Sequence, residues 1–225
     1  DTNCNSILVI LFYITKRYFF IMSKSSRDWH NRQIRDPYVK KAKQDGWRSR
    51  AIYKLEEINN KGRIIFPGMT CIDLGSAPGS WSQYVSIKLK ERVEIIALDI
   101  LPMDYLPAVN FIQGDFLEEE TNKKIKTLLK NKKVDLVMSD MAPNISGIKV
   151  SDQAKSMYLV ELAFDTAQQF LKKKGDFVCK LFQGQGADEY IRLVRRYFEK
   201  VSVFKPKSSR SDSREVYLIA KRYLG

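Results

Sequence analysis

The segment Thr70-Cys71-Ile72-Asp73-Leu74-Gly75-Ser76-Ala77-Pro78-Gly79-Ser80-Trp81 predicts a strand, a glycine turn and a helix in immediate succession. Its apolar first half is typical of a buried strand. Gly75 and Gly79 allow the backbone to turn tightly and to come close to a ligand. The apolar residues that follow recur at about 3.6-residue spacing, so we expect a helix whose first turn is capped by Ser80.

The turn of this unit lies where doubly wound α/β sheets hold a nucleotide-like cofactor. The spacing Gly75-x-x-x-Gly79 differs from the G-x-G-x-x-G pattern of dinucleotide-binding proteins, and Pro78 makes the loop more rigid. A pyrophosphate site, and with it a nicotinamide-dependent reductase, is therefore disfavoured. A strand and a helix that pack together without any ligand are the alternative.

From Asp73 to Trp81 the sequence resembles the first motif of the FtsJ (RrmJ) family of S-adenosylmethionine-dependent RNA ribose 2′-O-methyltransferases. The resemblance implies a Rossmann-like class I methyltransferase fold, a mostly parallel seven-stranded sheet with helices on both faces. It also implies a cofactor site to which the motif contributes Gly75, Pro78, Gly79 and Trp81.

The rest of the chain favours an α/β fold because strand-like apolar runs alternate with helical patterns. No internal repeat or inter-domain linker interrupts this alternation. Further strands are expected at Val93–Asp99, Val109–Gln113, Val134–Met138, Asp176–Phe182, Val201–Phe204 and Ser213–Ala220, and helices at Leu117–Lys132, Met157–Leu171 and Asp188–Phe198.

The chain has 225 residues, 44% of them apolar, which predicts one domain of about 200 residues. Its formal net charge is +13 and its pI is near 9.6, which favours a polyanionic partner, first of all nucleic acid. For isolated lysines such as those of residues 123–133, a lysine-rich composition without functional meaning is the alternative.

Cysteine and histidine are too few and too scattered for a framework of disulfides or a zinc site. Cys4, Cys71 and Cys179 are widely spaced, and the last two fall in apparent core strands, so we expect reduced thiols. His30 is the single histidine and has no Cys or His neighbour. We expect no metal to be required.

Residues 1–21 contain the apolar run Ile7–Ile14 and then a basic, aromatic stretch. The run is far shorter than the ~20 residues of a membrane span, so no membrane association is expected. An organellar targeting leader, a remnant of a hydrophobic anchor and upstream sequence joined to a natural start at Met22 are the alternatives. We expect this segment to be disordered or a loosely attached helix, and one domain to span residues 22–225.

Residues 23–63 are dense in Lys and Arg and predict two short basic helices that are broken at Gly46. Arg48, Arg50 and Lys54 accompany aromatic neighbours, a combination suited to phosphates and unstacked bases. Helices that cover a sheet edge with solvated charges are the alternative. Near the other end of the chain, the basic loop 205–210 resembles a mobile, phosphate-contacting segment.

Acidic residues follow three of the predicted strands. Asp99 lies about twenty residues after Gly79, where doubly wound folds place the carboxylate that accepts hydrogen bonds from ribose hydroxyls. The family resemblance assigns Asp115 to the adenine amino group, and an ordinary Gly-Asp turn is the alternative. Asp140 leaves its strand at the edge that carries Gly75 and is expected at the cofactor, with a simple turn residue as the alternative.

Lys180 lies inside an apolar run, Phe177–Phe182. A buried ammonium group is costly unless it is paired or functional, and a strand-end lysine that reaches solvent is the alternative. In order and in local context, Lys54, Asp140, Lys180 and Glu215 match the Lys-Asp-Lys-Glu tetrad of the FtsJ family. The resemblance covers nearly all of residues 22–225.

Methyl transfer from a sulfonium to a ribose 2′-OH needs in-line geometry and the removal of a poorly acidic proton, and its product is S-adenosylhomocysteine. We expect Lys180 to take or stabilise that proton, with Lys54 as a neighbouring cation that lowers the Lys180 pKa. Asp140 is expected to orient Lys180 near the methionine moiety of the cofactor. Glu215 is expected to hold Lys54 or the ribose.

The phrases Leu101–Asp104 and Tyr158–Leu162 resemble the bacterial and mitochondrial branch of the family, which methylates a uridine in large-subunit ribosomal RNA. We therefore expect a monomeric enzyme that acts on ribosomal RNA within the large subunit. A mitochondrion or another organelle of bacterial origin is its expected location, and the cytoplasm is the alternative.

Two other functions compete with this one. The first is a tRNA anticodon-loop 2′-O-methyltransferase. The second is a non-catalytic ribosome-assembly or RNA-binding factor on the same fold. The complete tetrad argues against the second, because binding alone does not require Lys180 inside a strand.

Overall fold

The computed structural model describes residues 35–115 and 117–225. Residues 41–225 form one compact unit, and residues 35–40 lie outside it. The expectations for residues 1–21, for Cys4 and for His30 fall outside the described residues, and a single domain over residues 22–225 stays a prediction. No helix in the described ranges is both long and apolar enough to cross a bilayer.

The described strands form one sheet that is parallel from its first edge to its centre. They are β1 (Thr70–Leu74), β2 (Glu94–Asp99), β3 (Val109–Gln113), β4 (Val134–Ser139), β5 (Leu171–Phe182), β6 (Phe198–Phe204) and β7 (Glu215–Tyr223). Their order across the sheet is β3-β2-β1-β4-β5-β7-β6. Only β7 runs antiparallel to its neighbours. The predicted seven-stranded, mostly parallel α/β fold is confirmed.

The helices lie between the strands, as the alternating pattern predicts. They are α1 (Pro37–Gln44), α2 (Ala51–Gly62), α3 (Ser80–Lys88), α4 (Glu119–Leu128), α5 (Lys149–Phe170) and α6 (Ala187–Val194). The two basic helices predicted before the sheet are α1 and α2. α5 begins at Lys149 rather than Met157, because its first turn is largely exposed and has no apolar face to mark it.

The strand register brings residues that are distant in sequence to one edge of the sheet. The carboxyl ends of β1 to β5 lie together because these strands are parallel. β7 enters the sheet at the same edge, and it pairs Glu215 with Phe182 and Tyr217 with Lys180. The last strand therefore brings an acid next to the lysine of β5.

The central strands are continuous apolar runs because helices or other elements cover both of their faces. Ile72, Val137 and Phe177 have no exposed surface. The Phe164 ring of α5 lies 6.0 Å from that of Phe177, centroid to centroid, and tilted ring pairs of this kind add to the stabilisation from burial. The edge that carries the acids thus rests on a rigid core.

Several local predictions were wrong. The helix expected at Asp188–Phe198 ends at Val194, and β6 already begins at Phe198 rather than at Val201. Ser80 does not cap α3: the cap residue is Gly79, with φ 101°, and Ser80 Oγ is hydrogen-bonded to Ser49 Oγ at 2.6 Å instead. β5 begins at Leu171 rather than Asp176, and its register with β4 shifts near its start. The apolar pattern did not indicate this part of the strand, because residues 172–174 are exposed lysines.

Candidate active site

The four tetrad side chains, Lys54, Asp140, Lys180 and Glu215, meet at the carboxyl edge of the sheet. Lys54 Nζ, from α2, lies 2.7 Å from Glu215 Oε1. Lys180 Nζ lies 3.0 Å from Asp140 Oδ1 and 3.7 Å from Glu215 Oε2, and it donates to the Asp140 carbonyl at 2.9 Å. Two ammonium groups and two carboxylates therefore alternate in one chain of ion pairs.

Burial and ion pairing act in opposite directions on Lys180. Desolvation lowers its pKa, but the Asp140 and Glu215 carboxylates outweigh desolvation and hold the pKa of Lys180 above its ordinary value. The expected net lowering of the Lys180 pKa is therefore wrong, because Glu215 lies between the two ammonium groups and pairs with both. Lys180 carries its proton in this state.

Both carboxylates of the tetrad are held in the ionised form. Burial raises the pKa of Asp140, but Lys180 and Lys54 outweigh burial and leave the pKa below its ordinary value. Burial also raises the pKa of Glu215, and the same two lysines reverse the shift and lower it. Ser209 Oγ donates to Glu215 Oε1 at 2.7 Å, which fixes that carboxylate further.

Tyr217 belongs to this site, although the sequence analysis did not identify it. Its hydroxyl donates to Asp140 Oδ1 at 2.6 Å, and Lys54 Nζ lies 5.8 Å from the centroid of its ring. The Trp81 ring lies 5.8 Å away, centroid to centroid. Tyr217 follows Glu215 by two residues in a strand, so both side chains point to the same face. This two-residue spacing in a predicted strand could have indicated from the sequence that Tyr217 lies near Glu215.

A cavity of about 640 Å³ opens beside the tetrad. The ends of β1 to β4 and the helix α5 line it, and its lining includes Gly75, Asp99, Asp115 and Asp140. A volume of this size is typical of small-ligand sites, which span roughly 300–1,000 Å³. The three acids assigned to the cofactor from sequence are thus brought together around one cavity.

Main-chain amides orient two of these acids. Asp99 Oδ2 accepts from Ala77 N at 2.8 Å, and its Oδ1 accepts from Leu101 N at 2.9 Å. Asp115 Oδ1 accepts from Leu117 N at 3.0 Å. Carboxylates held in this way keep their remaining lone pairs directed for a ligand.

Two of the three other predicted cofactor residues lie at a smaller recess next to the cavity. Pro78 and Trp81 line this recess of about 30 Å³ together with Asp140. Gly79 lines neither space; its φ is +101°, and a Cβ at this position would lie 2.7 Å from Arg48 Nη1. The positive φ therefore favours glycine at residue 79.

Sequence comparison decides the family. The FtsJ-like methyltransferase family matches residues 47–223 of the chain. The chain is an FtsJ-like methyltransferase. Ribosomal RNA large subunit methyltransferase E of Marinobacter nauticus is 56% identical over 201 residues, 89% of this chain and 97% of that protein. The protein of the same name from Pseudomonas aeruginosa is 52% identical over 203 residues, 90% of this chain and 98% of that protein.

Solved structures agree with the FtsJ-like fold. A ribosomal RNA methyltransferase of Plasmodium falciparum matches with a TM-score of 0.73 and 32% identity over 80% of this chain and 100% of that one. MycE methyltransferase from the mycinamycin biosynthetic pathway, solved with Mg and SAH, matches with a TM-score of 0.51 and 13% identity. The match covers 76% of this chain and 47% of MycE, and it concerns the fold alone.

Asp73 is a further buried acid of this FtsJ-like methyltransferase that was not among the predicted site residues. Ser82 Oγ donates to Asp73 Oδ2 at 2.7 Å, whereas Oδ1 is buried without a hydrogen-bond partner. Burial, with a smaller contribution from Asp140, raises the pKa of Asp73 to about 7. Asp73 is among the residues that line the small recess next to the cavity.

The cavity of the FtsJ-like site has further lining residues that no motif marks. Asn144 comes from the loop after β4, and Lys155 and Tyr158 come from α5. Tyr158 lies within a phrase that resembles the family, but neither its type nor its spacing indicated a role at the ligand. Their position depends on how the long helix α5 crosses the sheet edge, which the sequence pattern does not fix.

Two arginines expected at RNA phosphates hold loops of the FtsJ-like domain instead. The Arg48 guanidinium donates to three main-chain carbonyls, at 2.8 to 3.0 Å, in the glycine turn and the loop after β2. Arg50 Nη2 donates to the Ser208 carbonyl. Glu57 accepts from the backbone amides of Lys207 and Ser208 at 2.7 and 2.9 Å and so connects the loop 205–210 to α2, while the mobility expected of this loop stays a prediction.

Side chains that could bind a metal do not form a cluster among the described residues of the FtsJ-like domain. Over residues 35–115 and 117–225, no group of three or more His, Cys, Asp or Glu side chains is arranged to hold an ion. The tetrad site itself presents two ammonium groups, two carboxylates and the Tyr217 hydroxyl.

Proposed function

We propose that this chain transfers a methyl group from S-adenosylmethionine to the ribose 2′-OH of a uridine in large-subunit ribosomal RNA. The observation that carries the proposal is the buried Lys180, which pairs with Asp140 next to a cavity that Asp140 also lines. The names of the Marinobacter and Pseudomonas relatives support the ribosomal RNA substrate.

The cavity residues fit S-adenosylmethionine in size and in charge. Asp99 and Asp115 offer carboxylate oxygens to ribose hydroxyls and to an adenine amino group. The unpartnered Asp73 Oδ1 is an acceptor for an ammonium group, and the negative charge of Asp140 suits a sulfonium. When bound, S-adenosylmethionine supplies an electrophilic methyl group on a positively charged sulfur.

Lys180 is the group that receives the proton of the 2′-hydroxyl. It carries a proton in the present state and must release it before it can act as a base. A cation that enters the cavity beside Asp140 weakens the attraction of that carboxylate for the ammonium group and lowers the Lys180 pKa. Neutral Lys180 would then take the hydroxyl proton, and the ribose oxygen would receive the methyl group of the cofactor that the cavity residues hold, with S-adenosylhomocysteine as the product that leaves.

Lys54, Glu215 and Tyr217 position the reacting groups. Glu215 holds the Lys54 ammonium at the edge of the site, where a ribose or a phosphate can accept from it. The Tyr217 hydroxyl donates to Asp140 Oδ1, the oxygen that also faces Lys180. Tyr217 therefore fixes the carboxylate that links the lysine to the cavity.

The proposal extends to the assembled large subunit as the acceptor, to a monomeric enzyme and to an organelle of bacterial origin as its location, with the cytoplasm as the alternative. The bacterial relatives and the net charge of +13 support it. Microscopy of the full chain and of residues 22–225, each fused to a fluorescent protein at the C-terminus, tests the location.

The decisive experiment measures transfer of labelled methyl from S-adenosylmethionine to large ribosomal subunits, to free ribosomal RNA and to tRNA. Wild type is compared with Lys180→Ala and with Lys200→Ala, a control that removes an exposed lysine of β6. We expect label on the ribosomal acceptor, a loss of about 100-fold or more in Lys180→Ala, and no loss in the control.

Cofactor affinity is measured in parallel by calorimetry. Only if Lys180→Ala still binds S-adenosylmethionine can its loss of activity be attributed to the loss of proton transfer. Label on tRNA alone would favour the alternative function, 2′-O-methylation of the tRNA anticodon loop. Cofactor binding without transfer to any acceptor would favour the assembly-factor alternative. Wild-type turnover in Lys180→Ala would exclude this lysine as the base.

A further inference from the structure

A second basic surface lies at the amino edge of the sheet, opposite the tetrad. It consists of residues 130–133, 172–174, 195–196 and 221–222, which we call the basal surface. Ten of these eleven residues are Lys or Arg and the eleventh is Asn131, so the surface contains no acid of its own. All of them are exposed except Lys221, which is half-buried.

Side-chain contacts join these segments into one continuous surface. Lys172 pairs with Asp135 at the start of β4. Glu199 pairs with both Lys174 and Arg222 and so connects β5, β6 and β7. The basal surface therefore extends across at least four strands of the sheet.

Neighbouring carboxylates neutralise only part of this charge. Asp135, Asp176 and Glu199 pair with four of the ten cations. The other six make no ion pair with any carboxylate of the described residues. Unpaired like charges repel one another, so a surface of this kind is more stable with an anion bound to it.

Helix geometry accounts for only some of these cations. The helices α4, α5 and α6 end at this edge, and a helix C-terminus favours a cation within its last turn. One cation at each helix end would satisfy that preference. Three cations follow α4, three follow α5 and two follow α6. Lys130, Lys174 and Arg222 also have φ of 49°, 68° and 61°, a conformation that favours Gly or Asn. The backbone therefore does not require Lys or Arg at these positions.

We propose that the basal surface binds a second segment of ribosomal RNA, separate from the segment that carries the reacting ribose. The inference rests on the proposed function. Lys174 and Lys180 are six residues apart in β5, so the two sites are separated by about 20 Å. A large folded RNA presents phosphates to both edges of the sheet at once, whereas a short hairpin in the active site does not reach the basal surface.

The test compares two double variants with a matched control. K130Q/K132Q and K173Q/R196Q each remove two positive charges from the basal surface. K123Q/K124Q removes two from α4, where both lysines are already paired with Glu119 and Glu120. Methyl transfer is measured at several salt concentrations, on large subunits and on a short hairpin that carries the target loop.

We expect each basal variant to raise KM for large subunits about fivefold at about 0.1 M salt, with kcat unchanged, because fewer phosphates are neutralised. The slope of log KM against log salt should decrease by about one to two. The control variant, and all variants on the hairpin, should keep wild-type values. Melting temperatures of all proteins establish that the variants are folded.

Basal variants whose KM on large subunits equals that of the control would overturn the inference. An equal rise in KM on the hairpin would also overturn it, because the effect would then concern the active site. The activity of the wild type on large subunits tests the proposed function separately. If the wild type modifies no acceptor, filter binding of large subunits to the same variants carries the same comparison.

Discussion

Lys180 is held between two carboxylates, and its pKa is raised by them although burial acts in the opposite direction. Under the proposed function Lys180 is the base. A base with a raised pKa is scarce in its neutral form at neutral pH, so the charges around Lys180 would set the pH range in which the enzyme works. The rate of methyl transfer should therefore rise with pH through the pKa that Lys180 has when the cofactor is bound.

Glu215→Gln tests this dependence directly. The variant removes one of the two negative charges that raise the Lys180 pKa, so the rising limb of the kcat–pH profile should move to lower pH. Glu199→Gln removes a carboxylate of β6 that pairs with Lys174 and Arg222 and serves as the control. An unchanged limb in Glu215→Gln would mean that deprotonation of Lys180 does not limit the rate.

Asp73 predicts a pH dependence of stability. Its pKa is raised to about 7 in the folded protein from an ordinary value of 3.8. As the pH rises from about 4 to 7, the unfolded chain releases this proton first, so the free energy of unfolding decreases through that window. A shift of this size corresponds to about 4 kcal/mol.

Asp73→Asn should abolish this decrease, because the amide oxygen still accepts from Ser82 and carries no charge. Urea unfolding at pH 5 and at pH 8 should show that the variant gains stability relative to wild type at pH 8. The exposed Asp165→Asn is the control with the same change in net charge. A variant with the same pH dependence as wild type would show that Asp73 is already ionised at pH 5.

At the scale of single elements, the loop between β6 and β7 depends on an acid of α2. Glu57 accepts from two consecutive amides of the loop, and Ser208 is fully buried. This loop contains Ser209, which donates to Glu215. The position of the loop therefore influences the tetrad.

Glu57→Ala should release the loop without unfolding the domain, since it removes two charge-assisted hydrogen bonds of about 1.5–3 kcal/mol each. Limited trypsin digestion should cut within residues 205–214 about tenfold faster than in wild type. The exposed neighbour Glu56→Ala is the matched control. Equal cleavage rates in the two variants would show that other contacts hold the loop.

The strands and helices were predicted where apolar periodicity is strong, and the errors occur where it is absent. β5 starts among three exposed lysines, and the first turn of α5 has no apolar face, so both elements begin earlier than the pattern indicates. The roles of Arg48 and Arg50 could not be predicted, because the carbonyls that they bind belong to loops distant in sequence. Tyr217 could have been found from its two-residue spacing to Glu215.

At the scale of the whole molecule, the order of the strands brings the acids that follow β2, β3 and β4 around one cavity. The strand–turn–helix pattern and the family resemblance predicted these acids at the cofactor. The ion-pair chain was less predictable. Residue types indicated that Lys54 and Lys180 are close, but only the antiparallel entry of β7 shows that Glu215 lies between them and reverses the expected pKa shift.

Cofactor binding should stabilise the whole domain. At a concentration 100 times its Kd, S-adenosylmethionine should add about 2.7 kcal/mol, which corresponds to an increase in Tm of about 5–10 °C for a chain of this length. Scanning calorimetry measures this shift. Asp115→Asn, which can keep the turn contact to Leu117, should show a smaller shift at the same concentration.

NAD at the same concentration should leave the Tm unchanged, because the glycine turn lacks the dinucleotide pattern. A shift produced by NAD and not by S-adenosylmethionine would favour the reductase alternative.

The antiparallel strand β7 also has a consequence for the order in which the enzyme is made. Glu215 and Tyr217 leave the ribosome after the glycine turn and the acids of the cavity, because they follow them in the chain. A translation product that stops before residue 215 lacks two groups of the reaction centre, however well its first strands are formed. Under the proposed function, the capacity to modify RNA is therefore acquired only once β7 has been synthesised, and nascent chains that stop before it should not act on the ribosomes around them.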